Sequence, residues 1–253
     1  MTARQIDINV DAGESYGPWP MGSDDQLYPL VSSANLACGF HAGDPVTMQR
    51  SVALAKEHGV AVGAHPGYPD LVGFGRRHMA VKPGDLTAYV IYQIGALRAF
   101  VQAAGLTLHH VKAHGALYLD MAREEAAARA VAEAVRQAAP EVPMVVLPGT
   151  VMEDAARSLG LTTVREAFPD RGYLASGQLA PRHLGGALVL DPKRAAERAV
   201  AMASGGAIET LDGGSIHVAA ETLCIHGDNE EAPDIARAVK GALEAEGIAV
   251  CPY

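Results

Sequence analysis

Cysteine is scarce in this 253-residue sequence: Cys38, Cys224 and Cys251 stand far apart, in no C-x-x-C spacing. That pattern fits neither a disulfide framework nor a zinc knuckle, so a reducing cytoplasm is the expected setting. No apolar run approaches the roughly 18 residues that cross a bilayer. The chain passes from Met1 through a charged segment into a strand, without the apolar stretch and cleavage site of a signal peptide. A soluble cytoplasmic protein with no membrane partner is expected. Basic stripes are lacking too. The net charge is −9, and an isolated Arg76-Arg77 pair does not make the clustered Lys/Arg surface that nucleic acid requires. No G-x-G-x-x-G follows a strand and no G-x-x-x-x-G-K-[ST] occurs, so the chain has no ATP or dinucleotide loop of its own. H-E-x-x-H is absent as well.

What is present is a chain able to bury a full core, with 49% hydrophobic and 19% charged residues. Its length suits one α/β barrel, a single domain over residues 1–253. One design recurs: an apolar strand that ends in ionisable residues beside glycine. Ile6 to Val10 leads into Asp11-Ala12-Gly13-Glu14, and the run through Leu36 ends in Gly39-Phe40-His41-Ala42-Gly43-Asp44. Val60 to Ala64 leads to His65-Pro66-Gly67, Leu108 to Ala113 to His114-Gly115, and Thr222 to Ile225 to His226-Gly227-Asp228. Charged groups at the carboxyl ends of strands are where α/β enzymes keep their chemistry.

Helical periodicity fills the intervals, at Pro45 to His58, Pro83 to Ala104, Glu124 to Ala139, Thr150 to Leu159, from Asp191-Pro192, and Pro233 to Glu246. Strands near Ile6, Leu36, Val62, Val111, Val145, Val164 and Leu223 alternate with them. That order specifies a parallel sheet with right-handed crossovers, closed or nearly closed into a barrel. Asp212-Gly213-Gly214 marks a hairpin turn. The glycine- and proline-rich stretch from Pro66 to Arg77 is long enough to be functional rather than a plain connection.

If the strand ends converge, they gather Asp11, Glu14, His41, Asp44, His65, Lys112, His114, Asp170, Arg171, His226 and Asp228. Imidazoles with carboxylates support either proton transfer near neutral pH or a divalent-metal site, for which Asp11, His41 and His65 on the first three strands are the candidates. Asp44 before Pro45 reads equally as a helix cap, and Lys112 as the exposed partner of a carboxylate. His58, His78, His109, His183 and His217 read as structural or solvated. Cys38 and Cys224 read as small buried residues. Arg76-Arg77 is a solvated pair or a phosphate or carboxylate clamp.

The blocks Asp7 to Glu14, Asn35 to Asp44, Gly63 to Pro66, Gly73 to Arg77, His114 to Tyr118, Asp170 to Tyr173 and His226 to Asp228 together resemble the family of 5-oxoprolinase A subunits, also called the LamB/YcsF or lactam utilization family. The resemblance implies a (β/α)7 barrel of the glycoside hydrolase/deacetylase type. It also implies a share in ATP-dependent ring opening of 5-oxoproline to L-glutamate, with partner subunits B and C, which would bind the ATP. On that reading Asp11, His41, His65, His114, Asp170 and His226 are catalytic candidates. Glu14, Arg76, Lys112, Arg171 and Asp228 are the candidates for substrate or anion binding. The rival expectations are a stand-alone metal-dependent deacetylase or amidohydrolase, and a non-catalytic carbohydrate- or lactam-binding subunit.

Overall fold

The computed structural model describes residues 4–227 and 230–253. In chain order the elements are β1 (Gln5–Ala12), α1 (Asp24–Leu27), β2 (Ser33–Ala37), α2 (Pro45–His58), β3 (Ala61–His65), α3 (Pro83–Ala103), β4 (His110–Val111), α4 (Gly115–Met121), α5 (Glu125–Ala138), β5 (Met144–Val146), α6 (Val151–Ser158), β6 (Thr163–Ala167), α7 (Pro192–Ala203), β7 (Ala207–Thr210), β8 (Gly214–His217), β9 (Thr222–Ile225), α8 (Ala232–Ala245) and β10 (Ala249–Val250). Seven parallel strands follow one another as β1-β2-β3-β4-β5-β6-β9, and β9 pairs back onto β1 to close the barrel. The expected (β/α)7 architecture and its seven strands are therefore present. Among the described residues no helix is long and apolar enough to cross a membrane.

The strands read as they do because both faces are buried. On β1, Ile6, Ile8, Val10 and Ala12 are all buried, and so are the alternating Asp7 and Asn9. The apolar set meets the helices, while the polar set makes side-chain hydrogen bonds across the inside of the barrel. The same division recurs on β2, where Ala34 and Leu36 join the hydrophobic core and Ser33 and Asn35 take part in the polar network. Outside, the helices face the strands through small residues, as with Ala128, Val131, Ala132 and Val135 on α5.

Three features are not foreshadowed by the sequence pattern. β4 is only two residues long, because its ladder with β5 rests on the single Val111–Met144 pair. Its backbone nevertheless stays tied to β3, through Lys112 N to Ala64 O at 2.9 Å and His114 N to Pro66 O at 2.9 Å. α4 starts directly at Gly115, without a capping side chain to announce it. β10 adds a two-residue parallel pairing to the start of β1. The hairpin at Asp212-Gly213 joins β7 and β8 as expected.

Asp44 is the N-cap of α2. Its carboxylate accepts from Val46 N (2.9 Å), Thr47 N (3.3 Å), Thr47 Oγ1 (2.7 Å) and Gly17 N (2.9 Å). The Gly17 amide and the Thr47 hydroxyl are the main causes that hold its pKa at about 2, below the ordinary 3.8. A depressed carboxylate pKa adds stability above the unfolded value and loses it as pH falls through the folded one. Asp44→Ala should therefore lower the unfolding free energy by about 1 kcal/mol at neutral pH. In urea titrations the gap between wild type and variant should close between about pH 4 and pH 2.

Candidate active site at the strand carboxyl ends

The barrel interior is filled by a hydrogen-bonded polar column. At its base Asp7 accepts from Ser32 Oγ (2.6 Å), Ser33 Oγ (2.8 Å) and Thr222 Oγ1 (2.5 Å). Above it, Asn9 donates to Thr222 Oγ1 (2.6 Å), and Asn35 donates to Asn9 Oδ1 (2.7 Å) and Asp11 Oδ1 (2.8 Å). His110 Nε2 lies 2.6 Å from Asn35 Oδ1, and the ring has room because residue 63 is glycine: a Cβ there would sit 2.0 Å from that nitrogen. The column ends at Lys112, whose ammonium lies 3.0 Å from Asp11 Oδ1, 2.7 Å from Glu166 Oε1, 3.2 Å from Asn9 Oδ1 and 3.0 Å from Cys224 Sγ.

These contacts set the charges. Burial works against the Lys112 ammonium, but the carboxylates of Asp11 and Glu166 outweigh it and hold its pKa well above the usual range. Burial likewise works against the Asp11 carboxylate, which His65 and Lys112 hold well below the usual range. Cys224 is pushed up, chiefly by burial, and stays a thiol.

Asp11, Lys112, His114 and His226 open onto a cavity of about 380 Å³, walled by Tyr118 and Phe168 and rimmed by Arg76, Arg123, Arg171 and Arg182. His226 is fixed by Asp170, which accepts from its backbone N (3.0 Å) and lies 2.8 Å from its Nδ1. With the Nδ1 proton given to that carboxylate, the basic nitrogen of the neutral ring is Nε2. Burial works against the Asp170 carboxylate, yet His226 keeps its pKa below the ordinary value. The pair has the base-and-orienter geometry of hydrolytic dyads.

His41, His65 and His114 form a second group beside the first, with Glu14 among them. The rings of His41 and His114 stack 3.7 Å apart and 3° from parallel. Burial is the main cause that lowers the pKa of both well below the usual value, so they are neutral imidazoles. A loop after β3 roofs them: Phe74 has φ 54°, and its carbonyl lies 2.8 Å from His114 Nε2. Gly75 follows with φ +65°, and a Cβ there would fall 2.7 Å from His114 Cδ2 and 2.8 Å from His41 Cβ. Only glycine lets the roof lie this close.

Most of the expected site residues converge, but several expectations need correcting. Lys112 is 3% exposed and not a surface partner. Its charge is committed to two buried carboxylates, so it holds Asp11 in place rather than meeting an incoming anion. Glu14 lies among the imidazoles, on no anion-binding wall. Asp11 does not complete a metal set with His41 and His65; among the described residues the donors group as Glu14, His41, His65 and His114, as Asp11, Cys224 and His226, and as the exposed His78, Asp120 and Glu124. Asp44 is the cap described above. Arg171 lines the cavity while giving Nε to Ala187 O (3.2 Å) and an Nη to Ala180 O (2.8 Å). Arg77 is tied to Asp70, with Nε 3.0 and 3.1 Å from its oxygens, which leaves Arg76 as the clamp candidate of that pair. Asp228 lies outside the described residues. Asn9, Asn35, His110 and Glu166 join the network without having stood out in the sequence. For Asn9, Asn35 and His110 the signal is a polar residue at every second position of strands buried on both faces; Glu166 carries none, with Val164 and Phe168 two positions to either side.

Fold and site together define a (β/α)7-barrel protein with an acid–base pocket at the carboxyl ends of its strands. The chain belongs to the LamB/YcsF family, whose profile matches residues 6–253. It is 60% identical over 246 residues to the 5-oxoprolinase A subunit of Thermus thermophilus, covering 97% of this chain and 98% of that one. It is 51% identical over 250 residues to the 5-oxoprolinase A subunit of Deinococcus radiodurans, covering 98% and 96%. The crystal structure of a lactam utilization protein from Thermus thermophilus superposes with a TM-score of 0.95 at 58% identity, over 98% of this chain and 100% of that one.

Removing one partner of a buried ion pair leaves a charge without compensation. Lys112→Met should destabilise the protein by about 3–5 kcal/mol in urea unfolding. The double variant Lys112→Met/Glu166→Gln should recover part of that loss, because one of the two stranded carboxylates is removed.

Proposed function

We propose that this chain is the A subunit of an ATP-dependent 5-oxoprolinase, opening 5-oxoproline to L-glutamate together with partner subunits B and C. The observation that carries the reading is the cavity itself. A carboxylate fixed by Lys112 and an imidazole fixed by Asp170 face it, and four arginines rim it in a chain of net charge −9. Such a pocket suits a small anion that must be hydrolysed. The names of the full-length relatives support the substrate, and the want of a phosphate loop agrees with ATP being bound by the partners.

A lactam is protected by amide resonance, and phosphorylation of its oxygen removes much of that protection. His226 takes a proton from the attacking water, and water adds to the ring carbonyl carbon. The same imidazole returns the proton to the ring nitrogen as the C–N bond breaks, which leaves a free amine and an acyl phosphate. A second water then hydrolyses the acyl phosphate to the carboxylate and inorganic phosphate. Asp170 holds the ring in the required tautomer, as the third group of a hydrolytic triad does. Asp11 accepts a hydrogen bond from the lactam N–H or the water. Arg76 and Arg171 meet the phosphate or the substrate carboxylate. His41, His65 and His114, expected as acid or base, lie to the side, and of the three only His114 reaches the cavity wall.

The test is glutamate release from 5-oxoproline and ATP, with this protein and with or without the partner subunits. Glutamate should form only in the full mixture. Arg76→Ala should raise KM more than it lowers kcat, while His226→Ala should lower kcat by about 10²–10⁴-fold. Glutamate formed by this chain alone would favour the stand-alone amidohydrolase. Unchanged turnover after His226→Ala would favour a binding subunit.

A further inference from the structure

The protons of the imidazole group can be assigned from its surroundings. His65 Nδ1 lies 2.8 Å from the Lys112 carbonyl and must donate to it, which leaves Nε2, 3.4 Å from Asp11 Oδ2, to hold either a proton or a metal ion. His114 Nε2 donates to the Phe74 carbonyl, which leaves the lone pair on Nδ1. Those two nitrogens face each other across 3.1 Å. Glu14 Oε1 lies 3.4 Å from His114 Nδ1 and 3.6 Å from His41 Nε2. His41 is 1% exposed, and among the described residues neither of its ring nitrogens has a hydrogen-bond partner. Three imidazoles and a carboxylate thus gather in one buried pocket, where a tilt of the stacked His41 or His114 ring about χ2 aims both lone pairs at a common point.

We propose that Glu14, His41, His65 and His114 hold one divalent cation, with zinc the metal that fits best. Four donors placed 2.0–2.1 Å from a tetrahedral centre lie about 3.3–3.4 Å from one another; three of the six separations, at 3.1, 3.4 and 3.6 Å, bracket that edge, and the others are within 4.8 Å. Three nitrogens and one oxygen are borderline ligands of the kind zinc takes. The outer contacts fit as well, since ligating histidines usually give their second N–H to a carbonyl, as His65 and His114 do here.

All four ligands come from the protein and none is more than 5% exposed, so the site is closed. The cation would pin together the end of β3 and the segments that follow β1, β2 and β4, and hold the Phe74–Gly75 roof over them. This role is separate from the acid–base pair in the cavity, and it stands whether or not the substrate is 5-oxoproline.

The test starts from protein dialysed against a strong chelator and then titrated with zinc or cobalt alone. Binding of roughly one ion per chain, a rise in Tm, and the intense visible bands of tetrahedral cobalt are expected. Glu14→Gln and His41→Ala should each abolish stoichiometric binding while far-ultraviolet circular dichroism still shows the folded helices. His78→Ala, in the exposed His78–Asp120–Glu124 cluster, should leave it intact. The wild-type cobalt spectrum decides the matter even if a variant fails to fold. Folded wild-type protein that takes up neither metal, with Tm unmoved, would overturn the proposal in favour of a proton on His65, shared between His114 and Asp11. Binding that survives Glu14→Gln and His41→Ala but is lost in His78→Ala would also overturn it.

Discussion

The ammonium of Lys112 lies between the carboxylates of Asp11 and Glu166 near the barrel axis, and most of the polar architecture follows from it. A lone charge at that depth would cost several kcal/mol in desolvation, whichever of the three residues carried it. Together they also need further partners, which Asn9, Asn35 and Cys224 supply. The interior of this barrel is consequently a hydrogen-bonded column in place of the usual layers of branched aliphatics. Such a column has little freedom to repack, because an altered member strands its neighbours' donors and acceptors. Asp11 reaches the cavity in one orientation and one protonation state, before any substrate arrives.

The second constraint is steric. The Phe74–Gly75 turn uses left-handed backbone at both positions, an arrangement that costs energy at Phe74 and persists only where surrounding contacts enforce it. The enforcing contacts are the Phe74 carbonyl on His114 and the Gly75 backbone against both stacked rings. The loop keeps water from the imidazoles and sends Arg76 onto the cavity rim, with its guanidinium 5.1 Å from the Phe74 ring. One turn therefore joins the buried imidazole group to the arginine-lined cavity rim.

The barrel and the position of its site were legible because they depend on local pattern: seven apolar runs, each followed by a periodic helix, with charged residues repeatedly placed just after the runs. The LamB/YcsF blocks carried the family. The division of labour among the charged residues was not legible. Lys112 follows an apolar strand just as His65 ends one, and only the fold shows that it points inward between two carboxylates. Glu166 is one of several polar residues in a short strand, and its partner Lys112 lies far upstream, beyond three helices and a strand. The alternation of Asp7 and Asn9 with Ile6 and Ile8 looks like a strand with one wet face, and closure of the sheet is what buries both. The orientation of His226 depends on Asp170, 56 residues away.

The central claim is that the ring is opened in this chain after activation elsewhere in a complex. The most direct measurement is a single-turnover reaction of the assembled subunits with 5-oxoproline and ATP, following ADP and glutamate separately, with wild-type chain and with Asp11→Asn. The account predicts that the variant still forms ADP while glutamate lags far behind it. Formation of ADP and glutamate one for one, at the wild-type rate, would contradict it.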